Sequence, residues 1–436
     1  MSAVLDSAGL NPAELRIGQA YSYVLPMAER NTPLVFRYLP GGSLDPAQGI
    51  VLRRAEQLAV LRRLPDYPCL AGLLSGQRSI PTQRQETLLA TGMDDILIFG
   101  AHRVGAHLAQ IQRGSGGKVV AFLDNDPTKQ NSHLANVPIL APGAVAPDSL
   151  PLVLGSGQHS AALERELRER GWTRLLSMQE FLFGRAAPYA AEEDFRQYSW
   201  RVVEQLPAFL SAFLCLDDET SRRTFDALLE MRMGLGHFSA SLKTPADDEY
   251  LEDVYIQPQD ARFYVDGGAY TGDTLDRIER RFGPVERAYL FEPQRSAFLE
   301  GQRRYADRTG IRFFQAGLSA ASCELQMPEI NSCDTLEEIP AAASASASGV
   351  PGVRLDEVVD GRVGLIKLDI EGGEESALRG AADILRREHP KLSVCAYHRG
   401  DDLWRLIDTV LGIDDRYRVG LRHHSDIIDD TTLYFY

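Results

Sequence analysis

The sequence predicts an α/β protein with two doubly wound parallel sheets, and three observations carry that expectation. Two separate regions each open on an apolar strand, a glycine turn, a helix and a second strand, the starting unit of such a sheet. At 436 residues the chain exceeds a single ordinary core. In the C-terminal region the last two strands are separated only by "HSDIIDD", too short for a helical crossover. They must pair antiparallel, which closes a seven-stranded sheet on an antiparallel last strand.

Residues 1–90 carry helix-like pieces such as "VLRRAEQLAVLRRL" between Pro and Gly breaks, and read as a mainly helical segment without a chemical motif. A Rossmann-like domain is expected at 91–185. "DILIFG" is its first strand, "AHRVGAHLAQIQ" its turn and helix, "KVVAFLDND" its second strand, and "LPLVLGSG" a third that leads into "SAALERELRERG". Residues 186–250 read as a helical connector, because "EEDFRQYSWRVVEQLPAFLSAFL" and "DDETSRRTFDALLEMRMG" place apolar residues three to four apart. The second domain, 251–436, runs through "RFYVDGG", "RAYLFE", "IRFFQ", "VGLIKLD", "LSVCAYH", "YRVGLRH" and "TTLYFY", with helices between the first five strands. A parallel sheet ending in an antiparallel hairpin is the architecture of class I methyltransferases. Between the third and fourth strands, "IPAAASASASGVPG" at 339–352 reads as a solvated flexible loop, with a lid over a substrate mouth as the sharper alternative.

Composition narrows the function. Hydrophobic residues make up 44% and charged residues 25%, the balance of a globular chain. The net charge of −15 excludes a general nucleic-acid binder, because phosphates must be met by clustered Lys and Arg. Residues 1–90 hold nine Arg against seven acids, so the negative charge lies beyond them. Five scattered cysteines, Cys69, Cys215, Cys323, Cys333 and Cys395, never form a C-x-x-C pair. That argues against a disulfide framework or a structural zinc site and fits a reducing, cytoplasmic setting. The start "MSAVLDSAGLNP" lacks the pattern of a secretory leader, and the longest apolar run, "LPAFLSAFLCL", falls short of the roughly 20 residues that span a bilayer.

The chemistry concentrates in the second domain. "VDGGAYTGD" places Asp266, Gly268 and Gly272 straight after a strand, where glycines let backbone amides approach a ligand at a helix N-terminus. An acid at the first position repels a pyrophosphate and suits the amino and sulfonium end of S-adenosylmethionine. "YLFEP" ends the second strand with Glu292, where an acid grips ribose hydroxyls. The fourth strand, "VGLIKLDIEGG", delivers Asp369 and Glu371 to the cleft beside the first strand, whereas Glu374 and Glu375 read as first-turn acids that complement a helix dipole. His398, at the end of the fifth strand in "CAYHRGDDLW", emerges at the same edge as a candidate general base. The three side chains also suit a divalent cation, although no metal is assigned. His423 and His424 are weaker candidates.

The blocks "FYVDGGAYTGDT", "YLFEP", "RLDEVV", "IKLDIEGGEESALRGA" and "YHRGDDLW" resemble, in order, the FkbM family of S-adenosylmethionine-dependent methyltransferases, over roughly residues 215–436. The resemblance implies O-methylation of a hydroxyl on a sugar, glycan or related natural product, as in polysaccharide biosynthesis. Residue by residue it places Asp266, Gly268, Gly272 and Glu292 on the cofactor motifs and Asp369, Glu371 and Gly372 on the family's D-x-E-G block. The residues expected at the cofactor are Asp266, Gly267, Gly268, Tyr270, Gly272, Glu292, Pro293 and Ala316, and those expected in catalysis His398, Asp369 and Glu371. The third-strand end, "FFQAGLSA", lacks the acid often found near adenine in methyltransferases at large.

"ILIFGAHRVGAHL" and "VVAFLDNDPTKQNSHLANVPILAP" are similar to the nucleotide- or nucleotide-sugar-binding domains attached to some sugar-modifying enzymes. There His102 stands where a dinucleotide fingerprint has its second glycine, and Asp124 is placed to hold a ribose. The alternatives are an NAD- or nucleotide-sugar-binding oxidoreductase or epimerase built on the first domain, and an inert binding module.

Overall fold

The computed structural model describes residues 21–25, 34–38, 50–52, 57–74, 94–155, 160–178, 181, 202, 205–233, 238–326, 337–338, 349–426 and 428–436. The first of these depart from the helical expectation for residues 1–90. Strands β1 (Tyr21–Leu25), β2 (Leu34–Tyr38) and β3 (Ile50–Leu52) form a small sheet, antiparallel between β1 and β2 and parallel between β2 and β3. "YSYVL" and "LVFRY" are rich in aromatic and β-branched residues, which favour extended backbone. Helix begins only with α1 (Gln57–Arg62) and α2 (Pro68–Leu74).

The next sheet comprises β4 (Asp95–Phe99), β5 (Lys118–Leu123), β6 (His133–Leu134), β7 (Val137–Leu140), β8 (Leu152–Leu154) and β9 (Leu175–Ser177). Helix α3 (Arg103–Gly114) joins β4 to β5, and α4 (Ser160–Glu169) joins β8 to β9. The strand order β6-β7-β5-β4-β8-β9 winds outward from β4 on one side and returns on the other. All neighbours are parallel except the β6–β7 hairpin. Along β4, Ile96 and Ile98 enter one core while Leu97 and Phe99 enter the other, as a sheet covered on both faces requires.

Two helices lead into the last domain, α5 (Leu206–Cys215) and α6 (Glu219–Arg232). Of the expected helix over 192–214, residues 192–201, 203 and 204 lie outside the described residues, and α5 takes up its second half. Asp218 starts α6 by accepting the Ser221 N–H at 2.8 Å. The parallel strands are β10 (Phe263–Gly267), β11 (Arg287–Phe291) and β12 (Ile311–Phe314), linked by α7 (Asp273–Phe282) and α8 (Arg295–Arg304).

The connection after β12 differs from the expected helix. Strands β13 (Gly317–Leu318), β14 (Cys323–Gln326), β15 (Glu337–Glu338) and β16 (Gly349–Val353) make a separate small sheet, followed by a single helical turn at Leu355–Val358. The "GVPG" end of the low-complexity stretch therefore lies in β16, and residues 339–348 lie outside the described residues.

The main sheet resumes with β17 (Leu365–Leu368), α9 (Glu374–Gly380), α10 (Ala382–Glu388), β18 (Lys391–Cys395), α11 (Asp402–Ile413), β19 (Val419–His423) and β20 (Thr431–Phe435). Its order is β12-β11-β10-β17-β18-β20-β19, with β20 antiparallel to both neighbours, as the short connection predicts. Alternation along the strands splits the core: Val265, Phe291 and Ile366 face one side, Tyr264, Leu290 and Leu365 the other. Order reverses between β10 and β17, which places the crevice at the C-terminal ends of those two strands. No helix among the described residues is long and apolar enough to cross a membrane.

Candidate active site

The glycine turn after β10 is built by close backbone approach. Gly268 has φ +75°, and a Cβ there would lie 1.8 Å from the Asp369 carbonyl oxygen, so the ends of β10 and β17 meet at a point only glycine permits. Gly272, at φ +89°, caps α7. Across the turn, the Glu292 carboxylate accepts the Tyr270 N–H at 2.9 Å and the Gln294 N–H at 2.7 Å. Two backbone donors thus fix the acid that ends β11, while burial raises its pKa. Tyr270 is 59% exposed above the turn, and Pro293 follows Glu292 at the same edge. Ala316, buried just after β12, presents no polar side chain.

Asp266 departs from its expected place against a cofactor. It is fully buried, and its carboxylate meets Lys367 Nζ at 3.0 Å. The two are register partners on β10 and β17, so they share a sheet face. Lys367 also donates to Gly267 O at 3.2 Å and Gly268 O at 2.8 Å. Burial pushes the Asp266 carboxyl up to about 6 against the pull of Lys367. Lys367 is held charged by Asp266 and Asp369, which outweigh its desolvation. The pair staples the glycine turn from beneath.

Three strand-end elements converge beside it. Asp369 follows β17, and its Oδ2 accepts the Tyr250 hydroxyl at 2.9 Å. His398, three residues past β18, points Nδ1 at Glu374 Oε1 at 2.9 Å and Nε2 at Asp369 Oδ1 and Glu371 Oε2, both at 3.4 Å. Glu374 Oε1 also accepts the Ile370 N–H at 2.9 Å. The expected free base at His398 gives way to a caged imidazolium. Against the desolvation that would lower it, the charges of Glu374, Asp369 and Glu371 raise it to about 10. While the ring carries both protons it offers no lone pair to a substrate proton. Glu374 is corrected as well, for it is 1% exposed and buried against His398. Glu375 alone behaves as the expected surface acid, pairing with Arg379 one turn on at 2.7 Å.

These features place a glycine turn, a strand-end acid and a carboxylate cage along one edge of a sheet in class I order. A model of the methyltransferase FkbM domain matches residues 184–418. The chain belongs to the FkbM methyltransferase family. Among solved structures it is similar to the FkbM methyltransferase of Methylobacillus flagellatus KT, with a TM-score of 0.68 and 24% identity, covering 87% of this chain and 100% of that one. It also matches Aeropyrum pernix fibrillarin bound to S-adenosyl-L-methionine, at TM-score 0.27 and 14% identity, covering 42% of this chain and 69% of that one. An rRNA methylase from Streptococcus thermophilus matches at TM-score 0.28 and 17% identity, covering 44% of this chain and 95% of that one. No curated protein matches the chain.

In this FkbM methyltransferase the site edge also collects backbone strain. Tyr250, Tyr270, Glu371 and Asp430 all take left-handed φ values, of 65°, 46°, 54° and 60°. Side chains other than glycine hold such angles only where surrounding contacts enforce them, typically at functional sites. Tyr250 is clamped by its bond to Asp369 and lies between two cations, Lys367 at 5.2 Å and Arg277 at 5.7 Å from its ring centre. The wall around it is acidic. Burial, with Asp430 and Asp369 adding, pushes Glu249 up to about 7, and burial with Asp429 and Asp369 pushes Asp430 up to about 6.

Lys367 and Tyr250 were not singled out by sequence reasoning, and Glu374 was read only as an acid for the helix dipole. A lysine inside the apolar run "LIKL" was the legible signal for the first; Glu374 and Tyr250 reach the site only through tertiary packing. His423 and His424 are structural. His423 packs on Phe238, its ring centre 4.3 Å away, and meets Thr431 Oγ1 at 2.8 Å; His424, lowered by burial to about 4, contacts Thr244 Oγ1 and the Pro245 carbonyl. A cavity of about 410 Å³ lined by Arg63, Arg222 and Arg418 lies by the start of β19, at the opposite edge of the sheet from the glycine turn.

Proposed function

We propose that the chain is an S-adenosylmethionine-dependent O-methyltransferase whose acceptor is a hydroxyl of a sugar, glycan or related natural product. The observation that supports this best is the adjacency, at one switch point, of the Gly268 turn with its fixed Glu292 carboxylate and the Asp369–Glu371–His398 cage. The first suits the cofactor. Glu292, already oriented by two N–H donors, keeps lone pairs for ribose hydroxyls, and Gly267, Gly268, Tyr270, Gly272, Pro293 and Ala316 line the approach. S-adenosylmethionine supplies an electrophilic methyl group when bound. Asp266 acts on it only by holding the turn through Lys367.

The second suits a polyhydroxyl acceptor. Carboxylates accept hydrogen bonds from hydroxyls, and Asp369, pinned by Tyr250, orients one toward the turn. Glu371 is the proton acceptor in this reading: it is 41% exposed, and burial raises its pKa toward the range that suits a general base. His398, when protonated, stabilises the two carboxylates by its charge.

The reading of the 94–178 sheet as an NAD site is disfavoured by its own acid. Asp124 accepts the Ala101 N–H at 2.8 Å and the Asp126 N–H at 2.9 Å and pairs with Lys129 at 3.1 Å, which leaves little of its carboxylate for a ribose. A role for that sheet in presenting a nucleotide-sugar acceptor is retained as part of the proposal.

The test combines calorimetry with S-adenosylhomocysteine and transfer of labelled methyl groups into host-cell extract, fractionated into polysaccharide, lipid, small molecules and protein. Binding together with base-stable label in the glycan or small-molecule fraction is expected. Cofactor binding with label in protein alone would overturn the acceptor class, and stabilisation by NAD without any by S-adenosylmethionine would overturn the whole reading.

A further inference from the structure

The cage around His398 carries more negative charge than its own cation balances. Three carboxylates, Asp369, Glu371 and Glu374, surround one imidazole. Lys367, on the adjoining strand, is committed to Asp266 and the carbonyls of Gly267 and Gly268. Asp402, buried at the start of α11, adds a further acid facing Glu374.

Distances divide the contacts into two kinds. The 2.9 Å from Nδ1 to Glu374 is a close ion-pair contact whose direction falls short of a hydrogen bond. The 3.4 Å from Nε2 to Asp369 Oδ1 is longer than the about 2.7–2.9 Å that charge-assisted hydrogen bonds take. It lies at the upper end of the roughly 3.0–3.4 Å between neighbouring donor atoms that each bind one ion at about 2.1 Å. A carboxylate set against the far ring nitrogen, as Glu374 is against Nδ1, is also what orients a metal-binding histidine.

A second, independent observation points the same way. The His398 side chain is 7% exposed, and its Nε2, facing Asp369 and Glu371, makes no hydrogen bond, a costly state for a buried ring nitrogen; the buried Glu374 Oε2 makes none either. Ligand atoms of Asp369, Glu374 and His398 lie within 4.8 Å of one another.

We propose that Asp369 Oδ1 and His398 Nε2 bind a divalent cation of the magnesium–manganese class, with Glu374 orienting the imidazole and the open side free for water and the acceptor's hydroxyls. The ion takes the place of the Nε2 proton. Mixed imidazole and carboxylate donors suit manganese, and few protein ligands with open positions suit a site completed by substrate. Glu371 faces the open side, where it can take the proton of a bound hydroxyl. The ion's link to an acceptor rests on the methyltransferase reading; its binding does not.

The experiment titrates the full chain, stripped with EDTA and desalted, with Mn²⁺ while following the free-ion paramagnetic resonance signal. Saturable uptake of one ion per chain is expected, displaced by excess Mg²⁺, lost in Asp369→Asn and His398→Ala, weakened about 10- to 100-fold in Glu374→Gln, and unchanged in Glu375→Gln. Wild-type protein without saturable uptake would overturn the site, as would undiminished uptake in both Asp369→Asn and Glu374→Gln. S-adenosylhomocysteine affinity is measured on the same samples. Ion uptake without cofactor binding would sink the methyltransferase reading and spare the ion; cofactor binding without ion uptake would do the reverse.

Discussion

Lys367 and Glu374 show how much of the candidate site is held by buried charges behind its surface. Removing the ammonium in Lys367→Met leaves Asp266 fully buried without its counter-ion, which costs about 3–5 kcal/mol for a pair of this kind. Urea unfolding should show that loss together with weakened cofactor binding, and the double variant Asp266→Asn/Lys367→Met should recover much of the stability. A double variant no more stable than the single one would mean that Lys367 acts through its carbonyl contacts instead. The two neighbouring glutamates are expected to behave oppositely. Glu375→Gln breaks only an exposed pair with Arg379 and should stay within about 0.5 kcal/mol of the parent with turnover intact. Glu374→Gln keeps the volume but frees His398, so kcat should fall about a hundredfold with cofactor affinity unchanged. Equal effects of the two substitutions on kcat would remove Glu374 from the site.

At the scale of elements, one clasp couples the end of α11 to the turn before β18, and it supplies the pH dependence. Asp414 accepts from Arg416 Nε at 2.9 Å and meets His389 Nδ1 at 3.0 Å. The Arg416 guanidinium, with its backbone N–H and His389, outweighs burial and lowers the Asp414 carboxyl to about 2. A depressed acid stabilises the fold above its unfolded value of about 3.9, and that contribution is lost as pH falls through about 2. Asp414→Asn should therefore cost on the order of 1 kcal/mol at pH 7 and almost nothing near pH 2, read by urea unfolding at both pH values. An equal cost at both would assign the effect to packing. The elements themselves were legible to different degrees. The strand ends bearing Gly268, Glu292, Asp369 and His398 could be placed because apolar runs closing on acids or glycine have few other readings. The small sheet of β13 to β16 could not, since its strands are two to five residues long and, among the described residues of β14 and β16, only Leu325, Val350 and Gly352 are buried. The strands at 21–52 were masked by a helical pattern that begins only at Gln57.

For the whole molecule, the decisive arrangement is the one least visible in the linear sequence. Helices α1 and α2 stand before the 94–178 sheet in the chain, yet Leu61, Leu64, Tyr67, Leu70 and Leu73 share one core with Phe209, Phe213 and Phe225 of α5 and α6. Tyr67 meets the Phe213 ring edge-on at 4.7 Å, and Asp226 on α6 accepts the Cys69 and Leu70 N–H groups at 3.2 and 2.8 Å, holding the start of α2. The segment expected to be separate is thus built into the floor of the family-matched region, whose match begins at residue 184. Asp226→Ala should cost about 1–2 kcal/mol by unsatisfying two buried donors. Amide exchange across 57–74 should then rise ahead of exchange in β10 and β17, because the segment loses its anchor while the main sheet does not. A chain begun at residue 184 exposes Phe213 and Phe225 and should aggregate on expression. If that shortened chain stayed monomeric and unfolded at the same temperature as the full chain, α1 and α2 would be an accessory covering and not part of the catalytic core.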